Sequence, residues 1–203
     1  MKPLIVFGTG GMGRETAAAV KRFAPDSYAP IFAVDEPEVS ELFGCPVIAA
    51  ADIGPNAEIV IAIGSGAVRR RIADRFDAVW PVLVLDSSVG YEVEIREGGL
   101  ICPGSMLTAS VRIGRHFQCN VGSYVMHDCV IGDFVTFAPR VQCNGNVHIG
   151  DGAYVGAGAL LKNGTSNKPL IVGAGAVVGM GAVVISDVPP GATVVGNPAR
   201  IRA

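Results

Sequence analysis

The sequence is poor in charge, in aromatic side chains and in long apolar runs, although half of its 203 residues are hydrophobic. Charged residues make up 17% and aromatic residues 6% of the chain, and the formal net charge is −2. Without an excess of Lys and Arg the chain lacks the electrostatic footprint of a nucleic-acid binder, so we expect no nucleic-acid partner. The hydrophobic share is large enough to bury a core, which argues against a disordered chain.

Membrane, secretion and metal signals are also missing. No apolar run reaches the roughly 18 residues of a membrane helix, so we expect no membrane partner. The opening "MKPLIVFGTGG" passes from an apolar run directly into glycines, which indicates a strand and a turn rather than a secretion signal. The five cysteines have no C-x-x-C spacing, which argues against a disulfide framework and a zinc knuckle. These features predict a cytoplasmic protein without a metal.

What the chain has instead is glycine, 27 residues of it, and a repeat of six in its second half. Every sixth residue is apolar over thirteen positions: Val89, Ile95, Ile101, Leu107, Ile113, Cys119, Val125, Ile131, Phe137, Cys143, Ile149, Val155 and Leu161. The stretch "KNGTSNKPLI" (162–171) interrupts the repeat and is predicted to be a loop insertion, because it is rich in Gly, Pro, Asn and Ser. The repeat then resumes with Val172, Val178 and Val184.

A period of six with one inward anchor describes a short strand and a corner. Three such sides close a triangular coil of about eighteen residues, and each coil stacks on the next at about 4.8 Å. The sixteen hexads predict about five coils. Cys119 and Cys143 occupy anchor positions, so they are predicted to be buried, inert thiols.

This pattern resembles the left-handed parallel β-helix of the hexapeptide-repeat acyltransferases. The similarity covers residues 89–200, including the C-terminal "DVPPGATVVGNPARI", which is similar to the closing segment of that family. The left-handedness is what the resemblance implies, since crossovers between parallel strands are otherwise right-handed.

The first half has the pattern of a small nucleotide-binding fold. An apolar strand, "LIVF" (4–7), leads into "GTGGMG" (8–13) and then a helical segment (14–24). Further strands are predicted at 30–34, 58–63 and 82–85, and a second helix, running through Phe76, is predicted after the "GSG" that follows 58–63. The free N–H groups of such a loop suit a phosphate, and Asp35 follows at the distance expected of a ribose or base contact. The alternative is that the glycines only form a tight turn.

The predicted fold is therefore an α/β half-Rossmann domain (1–86) followed by an all-β left-handed β-helix (87–203). The repeat leaves room for only half of a doubly wound domain before residue 89, which favours a mononucleotide over NAD. The combination of "GTGGMGRE" with the hexapeptide repeat resembles the sialic-acid O-acetyltransferase and bacillosamine N-acetyltransferase group, in which the first domain holds a nucleotide-linked sugar and the β-helix holds acetyl-CoA.

That resemblance implies a set of substrate-binding residues in the first domain, namely Gly8, Gly10, Gly11, Met12, Asp35, Gly64 and Arg69. Members of the group often carry His where this chain has Met12, so the sugar is expected to differ. The linker "LDSS" (85–88) also departs from the "HPSA" usual in the group, and the 162–171 insertion occurs only in some members.

The stretch "GSYVMHDCVIGDF" (122–134) contains the candidate catalytic pair, His127 and Asp128. Residues eighteen apart stack in one column, which places His127 beside Gly145, where the missing side chain leaves a gap next to a base. Acyl transfer needs such a base and an N–H donor near the carbonyl oxygen. Asp128 could orient the imidazole ring. The alternative is a surface pair without function.

The resemblance implies that His127 is the general base, that Asp128 assists it and that Asn120 lies near the active site. It implies that acetyl-CoA is held by Gly145, Ala157, Met180, Asn197, Pro198 and Arg200. It further implies a homotrimer with the acceptor sugar bound between neighbouring subunits. His116 and His148 do not match the motif and are predicted to be surface residues without a small residue stacked beside them.

The function expected from these features is acetyl transfer from acetyl-CoA to the amine of a nucleotide-linked amino sugar, with O-acetylation of a sialic-acid type sugar as the nearest alternative. A zinc hydratase on the same β-helix would need three converging histidines, but His116, His127 and His148 do not share a column. A non-catalytic sensor would bind the sugar nucleotide without consuming acetyl-CoA.

Overall fold

The computed structural model describes residues 1–202. Its N-terminal part is a five-stranded sheet in the order β3-β4-β2-β1-β5, with parallel pairing except between β3 and β4. Its elements in chain order are β1 (Lys2–Phe7), α1 (Gly11–Phe23), β2 (Tyr28–Val34), β3 (Glu41–Leu42), β4 (Cys45–Ala49), a 3₁₀ turn (Ala50–Asp52), β5 (Ile59–Ile61) and α2 (Gly66–Ala73). The sequence predicted three of these strands and both helices, but it did not predict β3 and β4.

The order of the strands fixes where this domain can bind a ligand. The chain moves from β1 to β2 on one side and later adds β5 on the other side of β1. This is the reversal point of a doubly wound sheet, and ligands bind outside the carboxyl ends of the strands there. Gly13 lets α1 approach this edge, because a Cβ at that position would lie 1.9 Å from the Gly8 carbonyl oxygen.

The rest of the chain is the predicted triangular prism, a left-handed parallel β-helix with three sheets as its faces. Face A contains β6 (Leu83–Val84), β9 (Leu100–Ile101), β12 (Gln118–Cys119), β15 (Thr136–Phe137), β18 (Tyr154–Val155), β21 (Val177–Val178), β23 (Thr193–Val195) and the antiparallel β24 (Arg200–Ile201). Face B contains β7 (Ser88–Val89), β10 (Met106–Leu107), β13 (Tyr124–Val125), β16 (Gln142–Cys143), β19 (Leu160–Leu161) and β22 (Val183–Val184). Face C contains β8 (Val93–Ile95), β11 (Val111–Ile113), β14 (Val130–Ile131), β17 (Val147–Ile149) and β20 (Leu170–Val172).

The anchors of the repeat form the core of the prism, with two exceptions at its first end. From Ile101 onward every anchor is buried, and both Cys119 and Cys143 are fully enclosed. Val89 is 40% exposed and Ile95 is only partly buried, because the first coil has no coil beneath it. The prism begins at Leu83, which already pairs with Leu100. This start lies one side of a coil before the first anchor, Val89, and precedes the expected boundary at residue 87, and the eighteen parallel strands of the prism make six coils rather than about five.

The insertion lies where the repeat breaks, but it ends earlier than predicted. Val130 pairs with His148, eighteen residues on, whereas Val147 pairs with Leu170, twenty-three residues on. Five extra residues are therefore accommodated between β19 and β20. The predicted loop 162–171 was too long at its end, since Leu170 and Ile171 belong to β20.

The two parts of the chain share a continuous apolar core. Leu4 and Val6 of the first domain pack in one cluster with Leu83, Leu100 and Cys102 of face A. Polar contacts reinforce this junction, because Gln118 Nε2 donates to the Ile61 carbonyl (2.7 Å) and Thr136 Oγ1 donates to the Gly64 carbonyl (2.8 Å). The first domain is thus fixed against face A. No helix of residues 1–202 is long and apolar enough to cross a bilayer.

Candidate active site

The exposed pair His127 and Asp128 lies on the edge between faces B and C, which we call edge BC. The His127 Nδ1 and the Asp128 Oδ2 are 2.8 Å apart, and the two side chains are 53% and 55% exposed. An ionised carboxylate can only accept a hydrogen bond, so the ring proton is on Nδ1 and the lone pair of Nε2 is free. The arrangement leaves a base that faces outward from the prism.

The His127 imidazole lies directly over Gly145 of the next coil. A Cβ at Gly145 would be 2.5 Å from His127 Cε1 and 2.6 Å from Nε2. The ring therefore fills the space that the sequence predicted to be a gap, and only glycine permits this. Within residues 1–202 the Gly145 N–H donates to no protein acceptor, so a donor without a partner lies next to the base.

Three further polar residues near this edge were not predicted. The Tyr124 hydroxyl lies 3.3 Å from Asn144 Oδ1 and 3.4 Å from Gln142 Oε1, and Asn144 Nδ2 donates to the Leu161 carbonyl. Tyr124 and Gln142 are paired across adjacent coils of face B. The column arithmetic that relates His127 to Gly145 would also have identified this pair.

Asn120, Ala157, Met180 and Asn197 lie on a different edge of the prism, the edge between faces A and B, which we call edge AB. Asn120 is 8% exposed, and its side-chain nitrogen donates to the Phe137 carbonyl. Met180 is 82% exposed. Pro198 follows Asn197 in the turn into β24, and Arg200 is the first residue of that strand. Within one chain, face B therefore separates all of these predicted residues from His127 and Gly145.

The predicted nucleotide residues lie together at the carboxyl ends of β1, β2 and β5. Added Cβ atoms at Gly10, Gly11 and Gly64 would meet no protein atom within 4 Å, so this glycine crevice is open. Gly8 has a φ of 115°, which favours glycine. Met12 is partly buried and packs against the domain core.

Asp35 lies at the carboxyl end of β2, and Arg75 accompanies it. The two side chains form a bidentate ion pair with distances of 2.5 and 3.3 Å. The hydrogen bond from Arg75 lowers the pKa of Asp35, so this carboxylate is ionised. Sequence reasoning did not identify Arg75, which follows the last residue of α2 by two positions.

Arg69 is not available to a substrate, and that prediction was wrong. Its side chain is buried (1% exposed) at the junction of the two domains. It donates to the carbonyls of Ile63, Gly64, His116, Phe134 and Val135 and to the side chains of Gln118 and Thr136. Burial lowers the pKa of Arg69 to about 9, which leaves the guanidinium charged at neutral pH. Arg69 joins α2 to the β-helix.

The prediction for His116 was also wrong. It is 2% exposed, it stacks on Phe134 and it meets Trp80 edge to face, each at a centroid distance of 4.9 Å. A Cβ at Gly98 would lie 2.3 Å from His116 Nδ1, so a glycine does stack beside it. The first domain covers this corner, which the repeat alone would have left exposed. His148 is partly buried on face C, and the three histidines face different surroundings.

The comparisons with known proteins agree with this architecture. Residues 3–76 match the family model of the PglD N-terminal domain. The chain is 41% identical over 207 residues to the GDP-perosamine N-acetyltransferase of Escherichia coli O157:H7, an alignment that covers 96% of this chain and 94% of that protein.

Two solved structures are similar over nearly their whole lengths. WeeI from Acinetobacter baumannii AYE is 43% identical with a TM-score of 0.90, and the match covers 99% of this chain and all of that one. The acetyltransferase domain of PglB from Neisseria gonorrhoeae FA1090, in complex with acetyl coenzyme A, is 28% identical with a TM-score of 0.86, and 98% of each chain is covered.

Proposed function

Since the chain belongs to the hexapeptide-repeat sugar acetyltransferases, we propose that it transfers the acetyl group of acetyl-CoA to the amine of a nucleotide-linked amino sugar. The observation that carries this proposal is the geometry at edge BC: an exposed imidazole, held by Asp128 at 2.8 Å, lies over Gly145. The 41% identical relative is named for GDP-perosamine, so this sugar nucleotide is the first candidate substrate. The group often has His where this chain has Met12. The sugar pocket is therefore the part of the protein in which this chain differs from the group.

In the proposed reaction His127 Nε2 accepts a proton from the sugar amine as the nitrogen attacks the thioester carbonyl carbon. The Gly145 N–H donates to the carbonyl oxygen while negative charge develops on it. The carbon–sulfur bond then breaks, and the proton held by His127 passes to the departing thiolate. Asp128 keeps the ring in the Nδ1–H tautomer and stabilises the imidazolium that forms between the two proton transfers.

The position of the first domain supports an active site that is completed by a second chain. The first domain is fixed against face A, whereas His127 lies on edge BC, which is opposite face A in a triangular prism. A side of six residues spans roughly 20 Å, so most of the prism separates a chain's glycine crevice from its own His127. The proposed trimer brings the crevice of one subunit, and the residues of its edge AB, to the His127 of the next.

The test is an acetylation assay with purified protein, acetyl-CoA and a panel of sugar nucleotides. The panel contains GDP-perosamine, a UDP-linked 4-amino sugar and CMP-sialic acid, and the measurement is release of free CoA thiol together with the mass of the product. We expect thiol release with an amino sugar and a product that carries one acetyl group on nitrogen. Release with the sialic acid alone would establish O-acetylation instead. Nucleotide binding without thiol release would establish a sensor.

A matched pair of glycine variants tests the crevice. Gly11→Val adds a side chain where the protein has open space, so it should raise the KM for the sugar nucleotide and leave that for acetyl-CoA unchanged. Gly13→Val is the control for a folding defect, because its side chain would collide with Gly8. An unchanged KM for the sugar nucleotide in Gly11→Val would place the nucleotide elsewhere, and equal loss of affinity for both substrates would indicate a folding defect.

A further inference from the structure

The five-residue insertion encloses a cavity on the same edge as His127. Its volume is about 380 Å³, and its walls come from two successive coils: Lys162, Asn163, Gly164, Thr165, Lys168, Pro169 and Leu170 from one, and Ile185, Ser186 and Asp187 from the next. Edge BC carries this cavity because the insertion connects β19 of face B to β20 of face C.

The cavity is basic in a chain that has few lysines. The sequence contains four lysines, and two of them, Lys162 and Lys168, line this cavity. Both side chains are exposed, and within residues 1–202 neither ammonium group has a carboxylate within 4.0 Å. The one acidic residue in the wall is Asp187, and its Oδ1 accepts from the Ile171 N–H (3.0 Å). Two lysines without a carboxylate partner therefore line a cavity in which the one carboxylate of the wall is partly satisfied by the backbone.

A ladder of backbone contacts connects this cavity to the base. The Asn146 N–H donates to the His127 carbonyl, and the Gly164 N–H donates to the Gly145 carbonyl, at 2.9 and 3.0 Å. The Lys162 N–H donates to the Val184 carbonyl at 3.0 Å, one coil further. Each coil advances about 4.8 Å, so the cavity begins about 10 Å and ends about 14 Å from the coil of His127.

Resting on the proposed function, we infer that Lys162 and Lys168 bind phosphate groups of acetyl-CoA. A thioester carbonyl placed at Gly145 leaves the pantetheine arm to run along edge BC toward the later coils. The arm reaches roughly 15 Å when extended, judged from standard bond lengths, and so its diphosphate arrives at the cavity. Ammonium groups bind phosphate as point charges. The sugar nucleotide is the other source of a diphosphate, and in the proposed trimer its glycine crevice comes from the neighbouring subunit, so the separate KM values of the two substrates distinguish the two sources.

The inference is tested with Lys162→Ala, Lys168→Ala and the double variant of the full-length protein. Each single variant should raise the KM for acetyl-CoA about tenfold, the effect of one charge-assisted hydrogen bond, and leave kcat and the KM for the sugar nucleotide unchanged. Lys168→Arg should restore much of the affinity. Lys2→Ala, which removes an exposed ammonium group from the first domain, is the matched control and should change neither KM.

Truncated donors identify the phosphate that is bound. With S-acetylpantetheine, which has no phosphate, the variants and the wild type should have the same KM. With 3′-dephospho-acetyl-CoA, an effect that persists assigns the lysines to the diphosphate, and an effect that disappears assigns them to the 3′-phosphate. Equal effects on all three donors, or a change only in the KM for the sugar nucleotide, would overturn the inference.

A binding measurement separates this inference from the proposed function. Titration calorimetry with CoA should give a Kd that rises about tenfold in each single variant, whether or not the protein turns over a sugar. If the wild type binds CoA and the lysine variants bind it equally well, the inference is wrong even if acetyl transfer is confirmed. If affinity falls as expected and no sugar is acetylated, the proposed function fails and the phosphate site stands.

Discussion

Two corners of the β-helix carry the same pair of residues, an imidazole stacked on a glycine of an adjacent coil, and they have opposite properties. His127 lies over Gly145 on edge BC, and His116 lies over Gly98 on the edge between faces C and A. Both turns contain a non-glycine residue in the left-handed region, Asp128 in the first and His116 itself in the second. The backbone alone does not distinguish the two corners.

The difference comes from what packs against each corner from outside the coil. No other element within residues 1–202 covers His127, whose side chain is 53% exposed beside Asp128. The first domain covers His116, which is 2% exposed between Trp80 and Phe134, and its Nδ1 has no hydrogen-bond partner. Burial lowers the pKa of His116 to about 4. A histidine over a glycine is exposed or buried according to what packs against its corner.

Replacing each histidine by alanine should separate the two corners most strongly. His127→Ala should lower kcat by about 10²–10⁴, as expected of a lost general base, and leave the KM for acetyl-CoA nearly unchanged. His116→Ala should leave kcat unchanged but lower the free energy of unfolding by about 2–3 kcal/mol, because it leaves a cavity between aromatic rings. His148→Ala is the control that should change neither quantity.

Steady-state kinetics and urea unfolding of the three variants provide these measurements. A His127→Ala protein that retains more than about a third of the wild-type kcat would mean that the exposed pair is only a turn, because a positioned base contributes more than that.

Replacing each of the two glycines by alanine tests the same contrast without removing either imidazole ring. A Cβ at Gly145 would lie 2.5 Å from the His127 ring, so Gly145→Ala should displace the base and lower kcat by about 10- to 100-fold, although the backbone N–H is retained. Gly98→Ala should instead lower the free energy of unfolding by about 2 kcal/mol. The added Cβ would collide with His116, and the φ of 71° at this position strains an alanine. If both variants lost stability and neither lost kcat, the contact between His127 and Gly145 would have no catalytic role.

Asp128→Asn should have a smaller effect than either change at the ring. The amide can still accept from Nδ1–H, but it does not stabilise the imidazolium, so we expect kcat to fall about tenfold, equivalent to about 1.4 kcal/mol. Steady-state kinetics of this variant measures the effect. An unchanged kcat would show that Asp128 does not act on His127.

The β-helix and the stacking of His127 on Gly145 could be predicted from the sequence, because an eighteen-residue coil makes spatial neighbours a matter of counting. The anchors from Ile101 to Val184 are buried as the period of six requires. The same counting relates Gly98 to His116, a relation that the sequence analysis overlooked. Counting describes contacts within the coil, where each residue meets the residues eighteen positions away.

Counting residues along the repeat does not describe what packs on the coil from outside. The wrong predictions for Arg69 and His116 have this origin. Arg69 lies shortly after the glycines that follow β5, where a phosphate ligand would be expected. Its guanidinium is nevertheless enclosed by carbonyls of the β-helix. His116 was predicted to be exposed because nothing in the repeat covers it. The early start of the prism at Leu83 has a different cause, since β6 pairs with β9 seventeen residues on, one short of the eighteen that the counting assumes.

The smallest effect that we predict is the pH dependence contributed by His116. Its folded-state pKa of about 4 is below the value near 6.5 of an unfolded histidine. Between these values the unfolded chain binds the proton and the folded chain does not, so stability falls as pH falls through this window and is unaffected by His116 at higher pH. Burial is the main cause, and the charges of Arg69 and Arg115 act in the same direction, against Asp133 and Asp74.

We therefore expect the wild type to lose about 1 kcal/mol more unfolding free energy between pH 7 and pH 5.5 than His116→Gln does, because the amide does not titrate. Urea unfolding at both pH values measures this difference, and every contribution that the two proteins share cancels in the comparison. Parallel losses in the two proteins would show that the His116 corner admits a proton in the folded state. In that case its burial by the first domain would not distinguish it from the corner of His127.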